Sequence, residues 1–194
     1  ADGPHFLFNA LGTIRWMAGK DPEATRALIK DLSDFLRRTL YRGREIVSLQ
    51  DELDAIAAYI RIEKARFADK IAIRVQVPEQ LLHCPIPVFT LQPLVENSIK
   101  HGLSPKKEPG VIHISAWEEG QNLYVEIQDD GVGMAQPAAV LQGKPQGPES
   151  GSGGIGIGMQ NVHKRLQIYG DQYGLTIRSR PGCTSVTVRF PRSH

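Results

Sequence analysis

The sequence predicts an α+β protein, and three features of its patterning do so. Apolar residues recur at spacings of three and four through roughly the first 67 positions, which is the helical period. At Lys70 the period shortens to two. Farther on, two pairs of alternating segments flank a long stretch rich in glycine and proline, so an antiparallel strand pair is expected on each side of a loop.

In order, residues 4 to about 20 carry Leu7, Phe8, Leu11, Ile14 and Trp16 at helical spacing. Asp21-Pro22-Glu23 reads as an N-cap, a proline at the first helical position and an acid in the first turn. The helix they open has Leu28, Leu32, Phe35, Leu36 and Leu40 as its apolar stripe, with Gly43 near its end. Ser48-Leu49-Gln50-Asp51-Glu52 starts a third helix, capped by Ser48 with acids at the positive end of the dipole, running to about residue 67. Ile71, Ile73, Val75 and Val77 then alternate with Ala72, Arg74 and Gln76 until Pro78 stops them, the pattern of a half-buried strand. A helix over about 89–101 follows, then strands near 111–117 and 122–129 joined by Glu118-Glu119-Gly120-Gln121. A helix over about 158–169 and strands near 174–180 and 183–190, turning at Pro181-Gly182, complete the set. The change of period near residue 69 divides the chain into a helical segment, 1–69, and a mixed domain, 70–194.

Composition narrows the function classes. Of 194 residues, 41% are hydrophobic and 23% charged, values of a chain that folds. The net charge of +2 arises from 23 basic and 21 acidic side chains without a long run of one sign, so nothing points to a nucleic-acid partner. Cys84 and Cys183 lack a CxxC neighbour and read as small buried apolar residues in a reducing compartment. No apolar run approaches the roughly 20 residues needed to span a bilayer. The opening Ala-Asp-Gly-Pro provides no helical turn before His5, so the chain is expected to be a fragment, with any membrane anchor confined to a missing upstream region.

The chemistry is expected in three segments of the mixed domain that place small or polar groups where packing alone would favour apolar ones. In Glu96-Asn97-Ser98-Ile99-Lys100-His101, Asn97 and Lys100 are three apart and share a face if the segment is α-helical. A carboxamide oxygen suits a hard cation such as Mg²⁺, and an ammonium suits phosphate. In Asp129-Asp130-Gly131-Val132-Gly133 an acid ends a strand just as glycines let a flat ligand approach; such a carboxylate can accept from the exocyclic amine of adenine. Gly154-Ile155-Gly156-Ile157-Gly158 precedes a helix and can cradle phosphate, although GxGxG alone is a weak pattern and no βαβ unit surrounds it. At the other end of the chain, His5-Phe6-Leu7-Phe8-Asn9 puts a histidine and an asparagine four apart among apolar residues. His5 reads either as a reacting group or as an exposed histidine. Asn9 reads either as a group that steadies the imidazole or holds a water, or as a satisfied polar residue at a helix start.

Leu91 to Gly102 resembles the N box of the GHKL ATPases, Asp129 to Gly133 their DxGxG box, and Gly154 to Gly158 their second glycine box, in the same order and spacing. With HFLFN upstream, the chain is similar to the LytS-type sensor histidine kinases. The resemblance implies a helical dimerisation and phosphotransfer segment followed by a Bergerat-type α/β sandwich with a mixed sheet. It implies an ATP-dependent protein histidine kinase that phosphorylates His5 and passes the phosphate to a response-regulator aspartate. On the matching positions, Asn97 would hold Mg²⁺, Lys100 and His101 would approach the phosphates, and Asp129 would bind the adenine amine. Gly131, Gly133, Gly154, Gly156 and Gly158 would shape the pocket, with residues 135–153 as the ATP lid. A homodimer and a membrane-anchored bacterial parent with a cytoplasmic kinase core are also implied. Many histidine kinases carry an acid directly after the histidine, where this chain has Phe6. Glu96 is then a candidate to orient the ring, or a plain helix-surface or capping residue. The alternative function is an ATP-binding interaction module of the GHKL type without phosphotransfer.

Overall fold

A computed structural model of the chain describes residues 3–40, 46–67, 70–142 and 155–192, and within them all side chains but those of 3–6, 38–40, 66, 67 and 155–157. Three helices come first: α1 (Gly3–Met17), α2 (Pro22–Leu40) and α3 (Leu49–Phe67). The predicted caps are in place. Asp21 Oδ1 accepts from the Ala24 N–H at 3.0 Å, and Ser48 and Asp51 form a reciprocal capping box, each side chain accepting the other's N–H at 3.1 Å. Leu28, Leu32 and Phe35 of α2 are buried against α3, where Phe35 meets Tyr59 at 5.9 Å between ring centroids. At the rim of that contact Arg61 reaches both carboxylate oxygens of Asp31 at 2.9 and 3.0 Å.

The expected stripe of α1 divides in two. Leu7, Ala10, Ile14 and Met17 turn inward, whereas Phe8, Leu11 and Trp16 are exposed, with Lys20 Nζ 3.8 Å from the Trp16 ring centre. At about 100° per residue, positions 7, 10, 14 and 17 stay within one face while 8, 11 and 16 rotate off it.

The mixed part is built on a five-stranded sheet in the order β2-β4-β5-β7-β6, comprising β2 (Ile71–Gln76), β4 (Gly110–Glu119), β5 (Asn122–Asp129), β6 (Gly174–Arg180) and β7 (Cys183–Pro191). β2 runs parallel to β4 and every other neighbour is antiparallel, so the sheet is mixed and both expected antiparallel pairs are present. Alternate residues of the central strands face one core: Ile112, Ile114, Leu123, Val125, Ile127, Val186, Val188 and Phe190 pack with Leu94 and Val95 of α4 (Gln92–Asn97) and with Met159, Val162 and Leu166 of α6 (Ile155–Gln167). The same core continues into α3 and α2.

Four features depart from expectation. A small antiparallel ladder joins β1 (Ile46–Ser48) to β3 (Pro85–Pro87), two three-residue strands too short to show a period. The expected 89–101 helix is six residues of α4 followed by a π-helical turn, Ser98–Leu103, marked by the Ser104 N–H donating to Ile99 O at 2.8 Å. Pro137–Val140 forms a one-turn helix, α5, inside the predicted lid; residues 143–153 of that lid lie outside the described residues. Cys183 is only half-buried, because odd positions of β7 face away from the core, and Gln128 Nε2 donates to its sulfur at 3.1 Å. No helix among the described residues is long and apolar enough to cross a membrane.

Candidate nucleotide site

The site begins with β5. As the middle strand it is flanked on both sides, and its alternation delivers Asp129 to the core side at its last position, 3% exposed. There the chain must turn at once. Asp129 Oδ1 accepts the Gly131 N–H at 2.9 Å, and Ser98 of the π-helical turn donates to the same carboxylate. Burial pushes the Asp129 carboxyl above its usual range, with the two hydrogen bonds acting the other way. A desolvated carboxylate with these two donors among the described residues keeps acceptor capacity for a third, which a ligand amine can use.

Gly131 must be glycine because a Cβ there would fall inside the Gly102 backbone, and Gly133 has φ of +86° with Arg180 O 2.8 Å from where its Cβ would lie. Two backbone bonds hold this turn, Val132 N–H to Gly102 O at 3.0 Å and Gly182 N–H to Gly131 O at 2.9 Å. The first clamps it to the π-helical turn, the second to the β6–β7 hairpin. Asp130, beside Asp129, points elsewhere: it accepts the Val111 N–H at 2.8 Å and faces Lys106 Nζ at 3.4 Å, fixing the segment before β4.

The π-helical turn changes the predicted geometry of the N-box segment. An α-helix sets residues three apart on one face, but a π turn advances fewer degrees per residue, so position i+4 rather than i+3 falls nearest position i. Accordingly Asn97 and His101 are both half-buried while Lys100 is exposed. The Asn97 Nδ2 is buried and has no hydrogen-bond partner among the described residues. Glu96 is engaged within its own helix, accepting from Gln92 Nε2 at 3.2 Å.

The predicted site residues fall into two groups. Asp129, Gly131 and Gly133 are drawn together with the N-box turn by the bonds above, and α4, which ends at Asn97, packs against α6, which contains Gly156 and Gly158. Gly154 lies outside the described residues. His5 and Asn9 belong to α1, which packs on α2 and α3; the His5 side chain is outside the described residues, and the Asn9 carbonyl accepts from Thr13 Oγ1 at 3.0 Å. Sequence reasoning passed over three residues that adjoin Asp129: Ser98, Gly102, and Thr184, its neighbour across the β5–β7 ladder, whose hydroxyl lies 2.7 Å from Ser179 Oγ. No local spacing marks them, since strand pairing and the crossing of the N-box turn bring them there.

Comparison with known proteins agrees with this architecture. The sequence profile described as "Histidine kinase-, DNA gyrase B-, and HSP90-like ATPase" matches residues 88–194, and that described as "Histidine kinase" matches residues 3–71. The chain is 41% identical to sensor histidine kinase BtsS of Escherichia coli K12, over 97% of this chain and 31% of that protein. It is 37% identical to sensor protein LytS of Oceanobacillus iheyensis, over 84% of this chain and 28% of that protein. It thus spans under a third of each relative's length. Among solved structures, the histidine kinase domain of the Erythrobacter litoralis EL346 blue-light activated histidine kinase superposes with a TM-score of 0.54 at 18% identity, covering 93% of this chain and 83% of that one. Mycobacterial sensor histidine kinase MprB gives 0.55 at 16% identity, covering 78% and 99%. At such identities the structures speak for the fold.

Proposed function

Since the chain belongs to the histidine kinase-, DNA gyrase B- and HSP90-like ATPase family, in its LytS-type sensor histidine kinase form, we propose that it is the catalytic core of a two-component sensor kinase that phosphorylates its own His5 from Mg·ATP. The observation that carries this reading is the buried Asp129 at the mouth of a glycine-lined turn, with acceptor capacity to spare. Adenine fits there through its exocyclic amine, which donates to Asp129. The orphaned Asn97 amide fits a magnesium nucleotide, either donating to a phosphate oxygen or, rotated about its last torsion, offering its oxygen to the cation. Mg²⁺, when bound, supplies positive charge to the phosphates.

This chain's own residues then have distinct tasks. Lys100 and His101 meet the phosphates, while Gly154, Gly156 and Gly158, with the lid over 135–153, let the backbone close over them. Phosphoryl transfer asks mainly for positioning and charge stabilisation. A neutral imidazole nitrogen of His5 bonds to the γ-phosphorus, the bond to the bridging oxygen breaks, ADP leaves, and the imidazole proton is released. Neutral imidazole is abundant near pH 7, since its unperturbed pKa is about 6.5. Asn9, one turn from His5, steadies the ring; Glu96 stands as the second orienting candidate. Residues 1–69 would serve as the phosphotransfer and dimerisation segment and 70–194 as the ATP-binding domain. The phosphate would pass to a response-regulator aspartate on the cytoplasmic side of a membrane-anchored parent.

Incubation with γ-labelled ATP tests the reading. Acid-labile, base-stable label that disappears in His5→Gln is expected. Nucleotide binding with no label on His5 would select the interaction-module alternative, and no nucleotide binding would overturn both.

A further inference from the structure

The turn over residues 88–91, directly before the N-box helix, is gripped from two sides by groups that the nucleotide site does not use. From α3, 39 residues before Leu91, comes Glu52, 3% exposed. Its Oε2 accepts the Leu91 N–H at 3.4 Å, and the N–H groups of Phe89 and Thr90 are also within its reach. From α6 comes Arg165, which donates to Phe89 O at 3.3 Å and to Val88 O through its other terminal nitrogen. Phe89 itself has φ of +61°, the one non-glycine in the left-handed region among the described residues. That conformation is unfavourable for a phenylalanine and persists only where the surroundings fix it. Here it turns successive amides to one side, a concavity lined with donors, and the acceptor provided is the Glu52 carboxyl group.

The connections are what give the turn meaning. α3 belongs to the helical segment, α4 leaves the turn to reach Asn97, and α6 includes Gly156 and Gly158 of the second glycine box. Helix α3 was expected to use its early acids for its own dipole; Asp51 does so in the capping box, but Glu52 points away into the turn. We propose that Glu52 and Arg165 are positioning residues which, through the strained turn at Phe89, couple the helical segment to the nucleotide pocket. The role in transfer rests on the histidine-kinase reading above; the coupling itself does not.

Physically, a carboxyl group that accepts from amides at the head of α4 and a guanidinium that satisfies the carbonyls of the same turn make α3, α4 and α6 move as one body. Releasing either grip leaves the sheet and the walls around Asp129 intact, because those are held by the strand ladders and by the Val132 and Gly182 bonds. It loosens how α3 follows the pocket, while the β1–β3 ladder and the bond from the Leu49 N–H to Cys84 O keep the start of α3 in place. A ligand that orders the pocket will therefore order α3 in the intact protein and not in a released one.

The test is hydrogen exchange of this chain with and without Mg·ADP, together with ADP affinity and γ-ATP labelling, in the wild type and in Glu52→Ala and Arg165→Met. Slower exchange across α3 on ADP binding is expected in the wild type. Both variants should lose that response, keep ADP affinity within about threefold and label His5 at least tenfold more slowly, and the double variant should lose no more than either single one. Glu52→Gln and Arg165→Lys, which keep hydrogen-bonding groups, should be intermediate and serve if the harsher variants do not fold. An α3 response that survives in the variants, or is missing in the wild type, overturns the coupling; so does a parallel collapse of ADP affinity and stability, the mark of a purely structural role. An α3 response without labelling of His5 would instead sink the phosphotransfer reading and leave the coupling standing.

Discussion

At the scale of single residues, the site turns on a carboxylate kept out of water. Asp129→Asn removes the charge but keeps the shape, and should weaken adenine nucleotide binding by about 1–3 kcal/mol, the usual effect of spoiling a charge-assisted hydrogen bond. Titration calorimetry with ADP checks this, and unchanged affinity would count against the assignment. Gly131→Ala addresses the slot rather than the charge. Its methyl would have to displace Gly102 backbone, so a loss of about 1–3 kcal/mol of stability is expected, read as a lower urea midpoint. Asp129, Gly131 and Gly133 were legible in sequence because a strand end followed by glycines is a local pattern. Ser98 and Thr184 were not, because a residue 31 or 55 positions away becomes a neighbour only after the ladder and the N-box turn have formed.

At the scale of elements, helix starts were the most legible feature, since a cap is chemistry within four residues. Asp21→Ala should cost about 1 kcal/mol by leaving the Ala24 N–H without its acceptor, and Ser48→Ala a similar amount, both measurable by denaturant unfolding. Strand limits followed the period-two pattern closely, as in β5, whose predicted 122–129 is the observed span. The β1–β3 ladder escaped because three residues carry no periodicity and Pro85 and Pro87 argue against a strand except at an edge. The π-helical turn escaped for another reason: the sequence Ser98–Leu103 is compatible with an α-helix, and the extra residue per turn comes from Gly102 closing onto the Asp129–Gly131 turn. Within that closed turn Lys100 is exposed and His101 half-buried.

At the scale of the whole molecule, one continuous core runs from α1 to β7, and Glu52 sits where its helical and mixed parts meet. Burial raises the Glu52 carboxyl to about 7, offset in part by the amides of residues 89–91 and by Arg165, the one charged group that bears on it from α6. The sign follows from that direction. The folded state holds this proton more tightly than the unfolded chain, so its contribution is complete below about pH 4.5 and is lost as pH rises through about 7. The stability of the wild type minus that of Glu52→Gln should therefore fall across that window, by on the order of 3 kcal/mol, and stay level above it. Urea unfolding at a series of pH values checks this, and a difference independent of pH would refute it. His163 contributes oppositely: burial holds its imidazole below the usual range and its Nδ1 accepts the Leu175 N–H at 2.9 Å, so protonation costs stability as pH falls.

Sequence alone determined the α+β class, the order of nearly every long element, and the positions in the mixed part of the chain of an acid at a strand end, a carboxamide and two glycine-rich segments. It could do so because helical and strand periods, caps and glycine turns are written in residues that are neighbours along the chain. Tertiary structure alone decided which face of α1 is buried, that the N-box segment winds into a π-helical turn, which residues surround Asp129, and that an acid of the first turn of α3 serves a loop near residue 89 instead of its own helix dipole. Each of these depends on burial between segments far apart in sequence. Burial is what sets the Asp129 and Glu52 carboxyl groups apart from ordinary surface carboxylates.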